Sequence, residues 1–356
     1  MPRLALDRLL PPDTRRRHIA LRLARPAVPR DIARNFRPLD ARGRAVLEAA
    51  LQEDFADRFP AGYAATPDGR RDLEEHLDGR IAQVRAEIVP WLADARELRG
   101  AKLLEIGSGS GSATVAFAEQ GAHVTALDVD ERWLRVARIR CDAYGIPGVT
   151  FVAENASALG RTFERSSFDF VVFFASVEHM TYEERLTAIE ASWQLLRSGG
   201  FWSIVDSPNR LWYYDSHTSD LPFFHWLPDE LAMRYVHLSP RQSTRDIFAK
   251  PARDPHRRLI RAGRGMSYHE LQLALPAFWP LQVVSSLSAY RRRRSLLRRA
   301  HWLIAERRFE AMLAKASPPG VPSAFFGPYL NVVIQKDGPS ASAAAENEDE
   351  QSTGRR

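Results

Sequence analysis

The chain of 356 residues predicts an α/β fold, a three-layer α/β/α sandwich about a mostly parallel seven-stranded sheet, with a helical region before it and a helical insertion toward its C-terminal end. Three observations predict it. From Lys102 onward short apolar runs alternate with amphipathic helices, the signature of βαβ units. Several runs are apolar on both faces, as strands covered by helices on two sides should be. A glycine-rich turn joins the first run to the helix that follows it.

Residues 1–95 read as a helical N-terminal region. Val46, Leu47, Ala50, Leu51 and Phe55 recur at helical spacing, as do Leu73, Leu77, Ile81, Val84 and Ile88, with Pro60, Gly62, Pro67 and Gly69 between the two sets. The main domain spans 96–336. Its strand-like runs are Lys102 to Ile106, His123 to Asp128, Val149 to Ala153, Phe168 to Phe174 and Phe201 to Asp206. Asp130 caps a helix from Arg132 to Tyr144 that Gly145 ends, and Thr181 with Glu184 forms a capping box for a helix expected to stop at Gly199 and Gly200. Residues 207–265 lose the alternation and read as an acceptor-side insertion or lid. Ser267 and Glu270 make a second capping box, followed by strand-like Leu281 to Leu287, a basic amphipathic helix over 290–316 and strand-like Tyr329 to Gln335, the last two strands closing the sheet. The tail, 337–356, is too poor in apolar residues to order itself. No internal repeat is present.

The formal charge is +6, with arginines gathered in the first 44 residues and between Arg241 and Arg308. Such segments serve equally as solvated helix faces or as surfaces for anionic partners, including peripheral contact with an anionic membrane. No apolar run reaches the ~20 residues of a membrane span and the N-terminus lacks a signal-peptide core, so a soluble cytoplasmic protein is expected. The single cysteine, Cys141, falls in a helical pattern and reads as a packed thiol.

Leu103-Leu104-Glu105-Ile106-Gly107-Ser108-Gly109-Ser110-Gly111-Ser112 runs from a strand through the glycine turn into a helix. Glycine lets a ligand approach the main chain, and N–H groups at a helix start favour an anionic or carboxylate-bearing ligand. Asp128 ends the second strand, where a carboxylate can hold two ribose hydroxyls. These features alone fit nicotinamide or S-adenosylmethionine. A dinucleotide fingerprint, however, needs glycine where Ser112 stands, and Glu105 would repel a pyrophosphate.

The motif Glu105 to Gly111 with Asp128 resembles the first two motifs of class I S-adenosylmethionine-dependent methyltransferases, which have a Rossmann-like sheet. The ordered set continues through Phe151-Val-Ala-Glu-Asn155-Ala156, Phe168-Asp169-Phe-Val-Val, Ser176-Val-Glu178-His179 and Leu195-Leu196-Arg-Ser-Gly199-Gly200, about residues 100 to 206. Asn155 stands where the family usually has aspartate. The resemblance implies S-adenosyl-L-methionine as cofactor, with Gly107, Gly109 and Gly111 lining its methionine and sugar and Asp128 holding the ribose. It also implies Asn155 and Ala156 at the adenine, Glu105 acting indirectly on the loop or the donor's ammonium, and Ser108, Val129 and Ala175 completing the set.

Methyl transfer from a sulfonium needs mainly alignment and exclusion of water. If the acceptor is an alcohol, His179 is the candidate general base; it serves equally well as a cap or packing group for the next helix. Glu178-His179 also resembles a metal-binding Glu-x-x-Glu-His motif of quinone-type O-methyltransferases, but its first position is Ala175, so no metal is expected. Aromatic residues from Trp212 to Trp226 mix with acids and histidines, suited to a small-molecule, sugar or lipid-linked acceptor or to a hydrophobic cap, and Asp215, His217 and His225 are the acceptor-side candidates. Nucleic acid is not expected, because Phe174-Ala175-Ser176-Val177 lacks an element to grip a flipped base. The helix over 290–316 carries Trp302, Ala305, Phe309 and Met312 on one stripe, facing either core or membrane. The expected function is O-methylation of a small-molecule, sugar or lipid-linked acceptor. The competing readings are an NAD(P)-dependent oxidoreductase and a non-catalytic S-adenosylmethionine-binding protein with a basic interaction surface.

Overall fold

The computed structural model describes residues 27–59, 61–294 and 304–336, so the expected disordered tail, the arginines of residues 1–26 and Trp302 lie outside the described residues. The sheet consists of β1 (Lys102–Ile106), β2 (His123–Asp128), β3 (Thr150–Ala153), β4 (Phe168–Phe174), β5 (Leu196–Pro208), β6 (Gln282–Ser286) and β7 (Tyr329–Gln335). Their order across it is β3-β2-β1-β4-β5-β7-β6, and β7 alone runs antiparallel to its neighbours. Ile106 pairs with both Leu127 and Phe173, so β1, β2 and β4 end level and their outgoing loops share one edge. That edge is where open parallel sheets bind ligands.

Alternation of side chains along the strands divides the core in two. Leu104, Ile106, Val171, Phe173 and Trp202 point to one face, and Leu103, Phe170, Val172 and Val205 to the other. The first face is covered by α4 (Tyr182–Leu195), through Ala188, Ile189 and Trp193. On the second lie Ala113, Ala116 and Phe117 of α2 (Ser112–Ala118), together with Val84, Ile88, Trp91 and Leu92. The chain is helical throughout from Pro67 to Ala95, with π turns at Glu75–Gly79 and Val84–Ile88, and this stretch is therefore part of the sandwich. An earlier helix, α1 (Ala41–Arg58), packs Leu47, Leu51 and Phe55 against Val136 of α3 (Glu131–Ala143).

The expected caps form: Asp130 accepts from Arg132 N, and Thr181/Glu184 and Ser267/Glu270 both close capping boxes. Some boundaries differ from the sequence reading. Helix α4 ends at Leu195, before Gly199, because Leu196 already pairs with Phe168 and belongs to β5. Strand β6 stops at Ser286, since Leu287 opens a helix described as far as Arg294, and helix is described again over Ile304–Ala316, with residues 295–303 outside the described residues. On that second helix Phe309 meets Trp212 and Tyr213 edge-on at 5.1 Å, while Met312 is half exposed. Residues 207–265 form a hairpin of Tyr214–Asp215 with Leu221–Pro222 and three short helices around Phe224, Val236, Phe248 and Leu259. Among the described residues no helix is long and apolar enough to cross a membrane.

One buried cation binds these layers together. Arg140 of α3 is inaccessible and donates to the carbonyls of Ser110 (2.7 Å), His76 (2.6 Å) and Leu77 (3.2 Å). Burial lowers its pKa to about 10, so it stays charged at neutral pH. Replacing it with methionine keeps the volume but strands those carbonyls. Arg140→Met should lower the unfolding free energy in urea by about 1–3 kcal/mol. The exposed Arg161→Met should shift it by less than ~0.5 kcal/mol.

Candidate functional site

The turn after β1 is held open by main-chain geometry. Gly107 (φ +83°) cannot carry a side chain, since a Cβ would lie 2.2 Å from that of Ser176. At Gly109 (φ +51°) a Cβ would meet nothing within 4 Å; this residue faces open space. Gly107 and Ser108 N–H donate to the Leu127 carbonyl at 2.8 and 3.1 Å, and Gly109 N–H donates to Asp128 Oδ2 at 2.8 Å. The other oxygen of Asp128 accepts from Asp130 N at 2.9 Å. Burial raises the Asp128 pKa, opposed by the two N–H donors. Gly111, the N-cap of α2, packs on Ala137 behind the turn.

A cavity of about 510 Å³ opens over the turn, within the range for small-molecule and cofactor sites. Glu105, Gly107, Ser108, Gly109, Asp128, Val129, Asn155, Ala156 and Ala175 all line it; Gly111 does not. Val129 is 72% exposed, an apolar side chain left bare at the rim. Asn155 Oδ1 accepts from Ser157 N at 2.9 Å, starting a short 3₁₀ turn that presents Ala156. Ala175 adopts φ +44°, which bends the chain sharply as it leaves β4. Ser108 and Ser112 bury hydroxyls without a partner. Glu105, 1% exposed, accepts from Thr114 Oγ1 at 2.6 Å, and burial pushes its carboxyl up to about 8.

The helices before β1 supply a wall that local sequence does not announce. Arg58, His76 and Arg80 line the cavity with Trp133 of α3. His76 stacks on Trp133 (5.2 Å, 9°), and Arg58 lies 4.4 Å over the same ring while pairing with Asp54 and Asp130. Burial, then the nearby arginines, lower the His76 pKa well below its usual value, so this ring is neutral. Arg80 is exposed, opens into the cleft and forms no ion pair among the described residues.

At the other end, His179 lines the cavity beside Met180, Glu184 and Arg261. Its Nδ1 lies 2.8 Å from the Arg261 carbonyl, and Arg261 returns a hydrogen bond to the His179 carbonyl at 2.7 Å. The sheet and the insertion bring His217 to it, with ring centres 5.6 Å apart. Glu178 is fully buried between them and the core; Ser207 Oγ donates to its Oε2 at 2.8 Å. Asp215 and His225 lie at 1% and 2% exposure and do not line the cavity. Asp215 accepts from the N–H groups of His217, Thr218 and Ser219 and sits 3.2 Å from His225 Nε2. Burial of Asp215 is outweighed by the His225 contact and these donors, which hold its carboxyl below the usual range. This pair shapes the loop that carries His217.

Residues 103–200 match the family described as a methyltransferase domain. The chain is 31% identical over 115 residues to a ubiquinone biosynthesis O-methyltransferase of Photorhabdus laumondii, across 32% of this chain and 46% of that protein. It is 25% identical over 142 residues to a ubiquinone/menaquinone biosynthesis C-methyltransferase of Zymomonas mobilis, across 38% and 57%. A solved S-adenosylmethionine-dependent methyltransferase of Methanosarcina mazei is 22% identical, with 55% of this chain and 85% of that one covered at a TM-score of 0.37. The chain spans about half the length of the curated relatives it matches. Residues 103–200, which carry the glycine turn and β1 to β4, are thus similar to a methyltransferase domain.

Proposed function

We propose that this chain methylates a hydroxyl oxygen of a small-molecule acceptor, free or carried on a sugar or lipid, with S-adenosylmethionine as donor. The observation that carries the reading is one cleft with the Asp128-bound glycine turn at one end and a histidine lone pair at the other. The O-methyltransferase names of its relatives support oxygen as the methylated atom. When bound, S-adenosylmethionine supplies a methyl group on a sulfonium, whose C–S bond breaks with its electron pair left on sulfur as the acceptor's O–C bond forms.

The residues divide the remaining work. Each Asp128 oxygen accepts one N–H and keeps a further acceptor site for a ribose hydroxyl. Val129 and Ala156 offer apolar surface to the adenine, and Asn155 orients that side of the rim. The partnerless hydroxyls of Ser108 and Ser112 and the cation of Arg80 are suited to the donor's amino-acid end, where guanidinium pairs with carboxylate. Glu105 faces the same end and favours its positive charge. At the acceptor end, the carbonyl of Arg261 can only accept, so His179 carries its proton on Nδ1 and leaves a lone pair on Nε2. That lone pair promotes loss of the hydroxyl proton, either directly as a base or by holding a cation.

Calorimetry with S-adenosylhomocysteine, and mass spectrometry of cell extracts incubated with labelled S-adenosylmethionine, test the reading. Binding and a product carrying one labelled methyl group on oxygen are expected; folded protein that ignores both nucleosides at millimolar concentration ends it. Asp128→Ala should weaken S-adenosylhomocysteine binding by ~1–3 kcal/mol. Arg80→Met should cost a similar ~1–3 kcal/mol, and unchanged affinity would remove Arg80 from the donor's carboxylate. Glu105 tests the electrostatics of the cleft. Between the ordinary value of 4.5 and about 8, the folded chain keeps a proton that the unfolded chain has lost, so this carboxyl lowers stability progressively as pH rises through that window. Glu105→Gln should therefore gain roughly 1–3 kcal/mol over wild type in thermal unfolding at pH 8.5, and nothing at pH 4.

A further inference from the structure

We infer that Glu178, His179 and His217 bind a divalent transition-metal ion at the acceptor end of the cleft. Glu178 is 0% exposed, and while Ser207 satisfies its Oε2, its Oε1 has no hydrogen-bond partner. A buried carboxylate oxygen left without a partner calls for a ligand. Oε1 faces His179 Nε2 at 3.8 Å and His217 Nε2 at 3.6 Å, too far for hydrogen bonds. These are spacings expected of atoms that share an ion through bonds of ~2.0–2.2 Å. One ligand atom from each of the three residues lies within 4.8 Å of the other two.

The tautomers follow from the partners. His179 Nδ1 lies 2.8 Å from the Arg261 carbonyl, which cannot donate, so Nδ1 carries the proton and Nε2 the lone pair. His217 Nδ1 lies 3.0 Å from Thr218 Oγ1, whose own proton is given to the Gly263 carbonyl at 2.7 Å. That hydroxyl must accept from Nδ1, and His217 too keeps its lone pair on Nε2. Three lone pairs thus converge, each imidazole oriented by a hydrogen bond at its far nitrogen, as in metal-binding histidines. The third donor comes from the insertion: Ala175 leaves Glu178-His179 short of a ligand, and the loop organised by Asp215 delivers His217.

Two imidazoles and a carboxylate suit zinc, iron or cobalt and leave coordination positions open. Of the three ligands His179 lines the cleft, and through it the proposed ion meets the acceptor end. Resting on the methyltransferase reading, the acceptor class is then a hydroxyl with a second oxygen beside it, able to fill two positions. Coordination lowers the hydroxyl's pKa, and its proton leaves to water without His179 as base.

The test uses the full chain, stripped with a chelator and titrated with cobalt(II) chloride, followed by calorimetry and visible d–d absorption. S-adenosylhomocysteine binding is measured on the same samples as a check on folding. One cobalt per chain is expected, with His217→Gln, His179→Gln and Glu178→Gln losing stoichiometric binding. Thr218→Val, which removes only the orienting hydroxyl, should bind roughly tenfold to a hundredfold more weakly. Wild-type protein that binds S-adenosylhomocysteine but neither cobalt nor zinc overturns the site, as does His217→Gln with wild-type cobalt affinity. Cobalt bound by protein that ignores S-adenosylhomocysteine would keep the metal site and end the methyltransferase reading.

Discussion

The hydrogen bond from Gly109 to the carboxylate of Asp128 is the contact on which the cleft depends. Parallel pairing ends β1 and β2 level, so the Leu127 carbonyl and the Asp128 carboxylate stand opposite the turn after β1 and take its first three N–H groups. Held there, the main chain of the turn can face a ligand only because no Cβ stands between them. Arg140 holds the same turn from behind, through the Ser110 carbonyl, and ties it to the helices before β1. Cofactor crevice and N-terminal wall are therefore one packing unit.

The two ends of the cleft differ in kind. At the turn, burial raises the carboxyls of Glu105 and Asp128, with Glu105 short of a countercharge, and Arg80 adds a cation without an ion pair among the described residues. A ligand bearing an ammonium, a sulfonium and a carboxylate would give each of them a partner. At the far end the polar groups are two imidazoles and one carboxyl whose free oxygen faces them. Low dielectric makes such incomplete pairing costly in a resting protein, and it marks where ligands belong.

The insertion shows how a polar residue can matter without touching substrate. Asp215 and His225 stood out in the sequence with His217, three polar residues among aromatics. Folding divides them: Asp215 gathers the N–H groups of the following turn, His225 packs against it, and His217 alone reaches Glu178 and His179. Nothing in the local pattern separates the three, because only the position of the hairpin against β4 and β5 decides which side chain faces inward.

Local physics made much of this chain legible in advance. Apolar runs flanked by glycine and capping residues define the strands and helices, and the glycine turn with Asp128 at the end of the next strand marks the cofactor edge, because these signals act over a few residues. Contacts distant along the chain were decided only by the tertiary structure: Arg80, His76 and Arg58 entering the cleft from helices before the sheet, and His217 joining Glu178 and His179. Arg58, His76, Arg80 and His217 carry no motif. Their roles come from which faces pack together once two sides of the sheet are covered, and that free energy is collective, so no short stretch of sequence records it.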